Sequence, residues 1–332
     1  MNTFKPNWTN ESVICILILS GIIFFSSCTD NKAIASPIVE DAKEAIRKTS
    51  AGNKNTIITN DSNEVVSKYD ITKFEKSILS KELLEISGLT IDRDNKNLYA
   101  INDEKAILFK LDQKGEILEK FDFGKKGDYE GLEMVGDLVY ILKSNGKIIS
   151  FDVSTSKKIK TYNNPLTAIN DAEGLGYDPK TNSLIIACKG NPNIKSSINL
   201  KKTKSVYAYN LITELFNQTP MINITDKAIK NYLEKKLQNT DSKKKIKKLL
   251  NRAVDFSPSA IAVHPIEDYF YLLSTVGKTI IVVDRDSSIK NIYFLDDSAY
   301  IQPEGICFDA KGNMFISNEG KGLKSNILRL SY

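Results

Sequence analysis

Short apolar stretches alternate with turn-forming residues along most of this chain. Five of these stretches open with a small residue that follows a polar one. They read SGLTID, EGLEMV, EGLGYD, SAIAVH and EGICFD, and they align on Gly88, Gly131, Gly174, Ala260 and Gly305. Successive aligned positions lie 43, 43, 86 and 45 residues apart. A period in the low forties, with several short strands in each period, is typical of the blades of a β-propeller.

Two further apolar stretches follow each aligned segment. The second stretches read NLYAIN, LVYILK, SLIIAC, YFYLLS and NMFISN, and the third read ILFKLD, KIISFD, SVYAYN, TIIVVD and NILRLS. In four of the five units, Asn, Asp, Gly or Pro residues suited to tight turns separate the first stretch from the second. Because helical periodicity is absent from these units, the pattern predicts an all-β, five-bladed β-propeller.

The interval of 86 residues is long enough for a sixth blade, but its pattern differs. Residues 225–252 are rich in helix formers and carry capping residues, so we predict a helical insertion there. The last unit ends after its third strand. Since an open ring exposes a sheet edge, we expect residues 69–74 to supply the missing fourth strand.

The N-terminal segment predicts export and lipidation. Residues 13–25 form an apolar run that suits a secretory signal and is short for a membrane span. The following Ser-Ser-Cys resembles the lipobox of bacterial lipoproteins, which implies that Cys28 is the lipidated mature N-terminus. The alternative is an ordinary signal anchor. We therefore predict a signal peptide at 1–27, a lipidated flexible tether at 28–67 and a propeller domain at 68–332, held on the membrane in the cell envelope, on the periplasmic or cell-surface side.

Charge and cysteine usage add two observations. The chain carries a net charge of +5, while residues 225–252 alone hold 10 basic and 3 acidic residues. This segment is interpreted as a solvated helical hairpin, with an anionic lipid or glycan partner as the alternative; nucleic acid is not expected outside the cytoplasm. Cys188 and Cys307 lie in strand-like stretches, where buried free thiols are favoured and a disulfide is left open. No Cys/His cluster suggests zinc.

The residue before each aligned small residue is the main candidate for chemistry. The first strand of a blade lines the central channel, so these residues form a ring near its mouth: Ser87, Glu130, Glu173, Ser259 and Glu304. Converging carboxylates repel one another unless protons or a cation neutralise them. Oxygen ligands suit Ca²⁺, which makes Glu130, Glu173 and Glu304 a predicted calcium site. The alternative is that they bond to backbone amides of neighbouring blades.

The repeated motifs also resemble a known family. EISGLTID…LYAINDE…LFKLDQKGEIL, FSPSAIAVHP and QPEGICFDAKGNMFISNEG are similar to the SdiA-regulated family of bacterial β-propellers over about residues 69–332. The resemblance implies five blades and a calcium site, and it implies no established activity. Further candidates for that site are Asp103, Glu104, Asn318 and Glu319. The helical insertion departs from the family pattern.

Two functions are compatible with these features. The first is a membrane-anchored, extracytoplasmic, calcium-binding platform for a protein or anionic ligand. The alternative is a calcium-dependent hydrolase, similar to lactonases or phytases, acting at the channel mouth. The chain has one histidine, His264, which the pattern places in a turn away from the glutamates, and it has no GxSxG motif. We therefore assign no catalytic residue and favour the platform.

Overall fold

Five antiparallel, four-stranded sheets form a ring in the described part of this protein. The computed structural model describes residues 68–194, 202–238 and 242–332. The predicted five-bladed propeller with a helical insertion is confirmed. The predicted signal peptide, the lipidated Cys28 and the tether lie outside the described residues and stay predictions. Among the described residues, no helix combines the length and apolar character needed to cross a membrane.

In blades 1 to 4 the strands follow one another along the chain from the channel outward, and in blade 5 the outermost strand is β1. Blade 1 contains β2 (Ile86–Ile91), β3 (Asn97–Asn102), β4 (Ile107–Asp112) and β5 (Ile117–Asp122). Blade 2 contains β6 (Tyr129–Val135), β7 (Leu138–Lys143), β8 (Ile148–Asp152) and β9 (Lys157–Tyr162). Blade 3 contains β10 (Ala172–Asp178), β11 (Ser183–Cys188), β12 (Thr203–Asn210) and β13 (Phe216–Thr225). Blade 4 contains β14 (Ser257–Val263), β15 (Phe270–Val276), β16 (Thr279–Val283) and β17 (Ile289–Phe294). Blade 5 contains β18 (Pro303–Phe308), β19 (Met314–Asn318), β20 (Asn326–Leu330) and β1 (Glu75–Ile78).

The hydrophobic core is divided among the interfaces between neighbouring blades. Five clusters of buried residues each join side chains from two adjacent sheets. Around Leu132, for example, side chains of blades 1 and 2 pack together, and around Leu89 those of blades 5 and 1 do so. Cys188 and Cys307 are buried within such clusters as free thiols. Each blade therefore depends on both neighbours for its stability.

Among its described residues, the long interval between the third and fourth repeats contains two helices and no additional sheet. After the ten-residue strand β13, the chain forms α1 (Asp226–Lys236) and α2 (Lys243–Val254). Thr225 caps α1, where its side chain accepts a hydrogen bond of 3.1 Å from the backbone N–H of Ala228.

This helical hairpin is packed on the side of the propeller between blades 3 and 4. Ile229 and Leu233 of α1 are buried in the cluster shared by these blades. The guanidinium of Arg252 in α2 donates to the backbone carbonyls of Gly277, Lys278 and Leu295. The described basic side chains at the start of α2 are exposed: Lys243, Lys244, Lys247 and Lys248. The hairpin thus matches the interpretation of a solvated, laterally packed element.

The ring closes through the segment that precedes blade 1. Strand β1 pairs antiparallel with β20, from Glu75 opposite Arg329 to Ile78 opposite Asn326. The expectation that residues 69–74 form this strand was wrong, because the strand consists of the next residues, Glu75–Ile78. Residues 69–74 instead pack beneath the last blades, where the hydroxyl of Tyr300 donates to the Ile71 carbonyl at 2.8 Å and the Phe74 and Tyr300 rings lie 5.9 Å apart. The side chains of Tyr69 and Phe74 pack against the core shared by blades 4 and 5, and strand pairing begins at Glu75.

A buried hydrogen-bond chain fastens this N-terminal segment to blades 4 and 5. Nδ1 of His264 accepts the backbone N–H groups of Ile266 at 3.2 Å and Glu267 at 3.0 Å, so its proton is on Nε2. Nε2 lies 2.7 Å from the Tyr69 hydroxyl, which in turn donates to the Gly312 carbonyl. His264 is thus a structural turn residue, as its position in the repeat predicts.

Acid should weaken this closure. Burial lowers the pKa of His264 from 6.5 to about 4. In the protonated form Nδ1 would carry a hydrogen and could no longer accept the N–H groups of Ile266 and Glu267. The unfolded chain therefore takes up this proton at a higher pH than the folded chain. We expect the free energy of unfolding to fall by up to about 3 kcal/mol on this account as the pH drops from 6.5 to 4.

The measurement is chemical denaturation across this pH range for the wild type and for His264→Asn, which keeps an acceptor for the two N–H groups. The variant should be less stable at neutral pH and should show a shallower loss of stability with acid. Parallel pH profiles for the two proteins would contradict the role assigned to His264.

Candidate functional site

In every blade the innermost strand carries a β-bulge immediately before the aligned small residue. The pairing between the first and second strands skips one residue at this point. The skipped residues are Ser87, Glu130, Glu173, Ser259 and Glu304. A bulge leaves one residue unpaired and re-aims its side chain. The ring expected from the sequence is therefore a repeated feature of the backbone.

The small residues after the bulges allow neighbouring innermost strands to touch. A Cβ atom added to Gly131 would lie 2.8 Å from the backbone oxygen of Glu173 and 2.9 Å from the backbone nitrogen of Leu175. A Cβ added to Gly305 would lie 2.8 Å from the backbone nitrogen of Leu89 in blade 1. All three distances are shorter than real Cβ contacts, so glycine is required at these two positions for the approach of one blade to the next.

The ring surrounds a very small cavity in the channel. This cavity has a volume of about 10 Å³, and Glu130, Glu173, Ser259 and Glu304 are among its lining residues. A space of this size holds about one water molecule. The channel is therefore nearly closed at the level of the carboxylates.

The two serines of the ring connect adjacent blades. The hydroxyl of Ser87 donates to the backbone carbonyl of Tyr129 at 2.8 Å, and that of Ser259 donates to the carbonyl of Pro303 at 3.1 Å. Both bonds cross from one innermost strand to the next. At these two positions the ring residue therefore joins neighbouring blades by a side-chain to backbone hydrogen bond, which is the kind of structural role considered above as the alternative for the glutamates.

The three glutamates share an electrostatic environment that disfavours their charge. Burial, reinforced by the nearby Glu173 carboxylate, raises the pKa of Glu130 to about 9 and that of Glu304 to about 7. Glu173 is 7% exposed, and burial also raises its pKa. Its Oε1 lies 2.8 Å from Nζ of Lys189. Near neutral pH the ring is thus neutralised by protons and by this ammonium group.

The four further candidates for the metal site do not share hydrogen-bond partners in the structure. Asn318 is buried and donates to the Asn326 side chain at 3.1 Å, whereas Glu319 accepts from Gln302. Burial raises the pKa of Asp103, and Glu104 is exposed. These residues line the same end of the propeller as the ring, at the ends of the second strands.

The fit of a cation to the ring is partial. Carboxylate oxygens are the donors that Ca²⁺ prefers. In the described part of the chain, however, no three His, Cys, Asp or Glu side chains come together in the manner of a metal site. A cation would have to draw the carboxylates of Glu130, Glu173 and Glu304 inward and replace the ammonium of Lys189. Calcium binding therefore stays a prediction.

The sequence pattern of the SdiA-regulated family matches residues 63–321. The chain belongs to this family. The resemblance carried by the EGL-type motifs is thereby confirmed. A search of curated protein sequences found no significant match.

Several solved propellers resemble this SdiA-regulated protein at low identity. Luciferin-regenerating enzyme shares 9% identity over 78% of this chain and 96% of its own, with a TM-score of 0.45. Virginiamycin B lyase from Staphylococcus aureus shares 12% identity over 74% and 66%, with a TM-score of 0.41. Glutaminyl cyclase from Myxococcus xanthus shares 9% identity over 77% and 93%, with a TM-score of 0.47. Similarity at this level carries no information about activity.

Sequence reasoning missed three members of a second set of residues in this SdiA-regulated protein. The set consists of the residue that directly follows the second apolar stretch of each blade: Asp103, Ser144, Lys189, Thr275 and Glu319. Lys189 pairs with Glu173, Ser144 donates to Asp128, and the Thr275 hydroxyl donates to the Pro303 carbonyl. The sequence pointed to this position only in blades 1 and 5, where it is acidic. Aligning the five blades on the ends of their second apolar stretches would have identified Lys189 as the basic member.

The close approach of the innermost strands can be tested with Gly131→Ala. The added methyl group must displace the backbone of blade 3, so the free energy of unfolding should fall by about 1–3 kcal/mol. Gly124→Ala is the matched control, because its methyl group would meet only the Tyr129 hydroxyl at 3.8 Å. Urea denaturation of both variants gives the comparison. Equal stabilities would contradict the packing argument for the repeated glycine.

Proposed function

We propose that this protein is a membrane-anchored, extracytoplasmic propeller that binds Ca²⁺ at the Glu130, Glu173 and Glu304 carboxylates and presents its rigid face to a partner. The observation that carries the proposal is the nearly closed cavity of about 10 Å³, which these three acidic residues line, each at a bulge of its innermost strand. A space of this size suits an ion and excludes an organic substrate.

The electrostatics of the ring support a cation at this place. Two of its carboxyl groups have pKa values of about 9 and about 7, which burial and mutual repulsion raise. A divalent cation would remove this repulsion and allow all three groups to ionise. The contribution of Ca²⁺ would thus be structural, since it would join the innermost strands of blades 2, 3 and 5.

The hydrolase alternative receives less support. A basic side chain, Lys189, does lie beside the glutamates, as that alternative requires. Its ammonium is engaged by Glu173 at 2.8 Å, and the cavity leaves no room for an ester or lactone. His264 is already bonded at both ring nitrogens within the closure of the ring. The binding platform is therefore the better conclusion.

The proposal includes the membrane anchor that the N-terminal sequence predicts. The proposed lipid on Cys28 and the tether at 28–67 would hold the propeller near a membrane surface, within the cell envelope. The exposed basic end of α2 offers a surface for an anionic ligand or an acidic protein partner.

Calcium binding predicts a metal-dependent stability of the full chain, purified in detergent. If free Ca²⁺ is 100 times Kd, the folded state should gain about 2.7 kcal/mol relative to the chelated protein. Glu173→Gln should abolish the resulting rise in melting temperature. Lys189→Met should enlarge it, because the competing ammonium is gone. Glu116→Gln, at an exposed turn, is the matched control and should behave as the wild type.

Identical melting curves of the wild type in calcium and in chelator would rule out the calcium site and leave the glutamates with a structural role.

The anchor predicts covalent lipid on the cysteine. Metabolic labelling with a palmitate analogue in a bacterial host should label the wild type, and Cys28→Ser should lose both the label and the membrane fraction. Unchanged labelling of Cys28→Ser would contradict lipidation at this residue, and a membrane-bound but unlabelled wild type would favour the signal anchor.

A further inference from the structure

A second and much larger cavity occupies the opposite end of the channel. Its volume is about 460 Å³, within the range of small-molecule sites, and all five innermost strands contribute to its wall. Apolar and aromatic side chains form much of that wall, among them Ile91, Tyr177, Val263 and Phe308. The turns at Pro179 and at Pro265 frame it.

Two carboxylates line this cavity, and they differ in their partners. Asp268 pairs with Lys180 and Arg285, whereas Glu133 lies on an innermost strand. Glu133 is the second acidic residue of the EGLEMV motif, two positions beyond Gly131. The other blades have small neutral residues at the equivalent position: Thr90, Gly176, Ala262 and Cys307. An acidic side chain at this place is therefore a departure from the repeat, specific to blade 2.

Neighbouring strands hold the Glu133 carboxylate in position. Its Oε1 accepts the Thr90 hydroxyl at 2.7 Å and the backbone N–H of Met134 at 2.9 Å. The backbone N–H of Tyr177 is a further donor. These groups belong to blades 1, 2 and 3, so the carboxylate is fixed before any ligand arrives.

The carboxylate lacks a basic partner within the cavity. Among the described lining residues, Lys180 pairs with Asp268, and His264 is the neutral imidazole of the ring closure. Cys307 is a buried thiol whose pKa is raised by burial and by Glu133, so it contributes no positive charge. Burial raises the pKa of Glu133 to about 7, while its hydrogen bonds oppose this shift. A cation beside the Glu133 carboxylate would supply the basic partner that the lining residues do not provide.

We propose that this cavity binds a small organic cation, a primary amine on an apolar or aromatic body, with its ammonium group against Glu133 and its body against the apolar wall. The ammonium would form a charge-assisted hydrogen bond to the carboxylate. The aromatic rings of Tyr177 and Phe308 suit both a cationic head and an apolar body. This site is separate from the carboxylate ring, because no lining residue is common to the two cavities.

Isothermal titration of the full chain with phenethylamine tests the proposal. Phenethylamine should bind, whereas 2-phenylethanol and phenylacetate, which lack the cation, should bind at least about tenfold more weakly. Glu133→Gln keeps the shape and the Thr90 bond and should weaken amine binding about tenfold or more. Glu116→Gln is the control carboxylate and should leave binding unchanged.

A second pair of variants avoids any change to the channel wall. Ile266 lines the cavity but is 55% exposed, so substitutions there should fold normally. Ile266→Lys should weaken phenethylamine binding by a few fold and Ile266→Glu should strengthen it, since the two charges act oppositely on a cation near the rim.

Each titration is performed in calcium and in chelator, which separates this site from the carboxylate ring. Amine binding that persists in chelator and is lost in Glu133→Gln supports the proposal whether or not calcium binds. Absence of phenethylamine binding, equal binding of phenylacetate, or insensitivity to both Glu133→Gln and the Ile266 charge pair would overturn it and leave Glu133 as a structural bridge between blades.

Discussion

The structure depends on the contact between the innermost strands of adjacent blades. A side chain at Gly131 or Gly305 would collide with the backbone of the next strand at less than 3.0 Å. The same approach requires a bulge, because the residue before the glycine must leave the pairing register. One steric constraint therefore accounts for the repeated small residue and for the direction of the polar residue in front of it.

The two ends of the channel differ in width and in polarity. At the bulged end, acidic side chains are brought so close that protons and the Lys189 ammonium must neutralise them. At the other end the cavity has a volume of about 460 Å³, and its wall is largely apolar apart from Thr90, Glu133 and the groups at the rim. The channel is thus closed and polar at one end, and open and largely apolar at the other. An ion suits the first environment, and an organic molecule suits the second.

Stability is shared around the ring, and the closure depends on a segment from the beginning of the domain. Each core cluster belongs to two blades, so no sheet is buried by its own residues alone. Blade 5 takes its outer strand from the beginning of the domain, and the bonds among Tyr69, His264 and Gly312 hold that segment in place. The helical hairpin covers the blade 3–4 interface without altering the sheet order.

The sequence by itself determined the number of blades, the helical insertion and the ring of Ser87, Glu130, Glu173, Ser259 and Glu304. The blades and the ring recur along the chain, because each innermost strand approaches the next in the same way and the local sequence reflects this approach. The helical insertion occurs once, and its own content of helix formers indicates it. Tertiary structure alone decided that Lys189 neutralises Glu173, that Glu133 rests on Thr90, and that β1 begins at Glu75 and not at Tyr69. Such pairings join residues from different strands or blades, and no local pattern records the distance between them. Their electrostatics arise only when the ring closes and removes water from the channel.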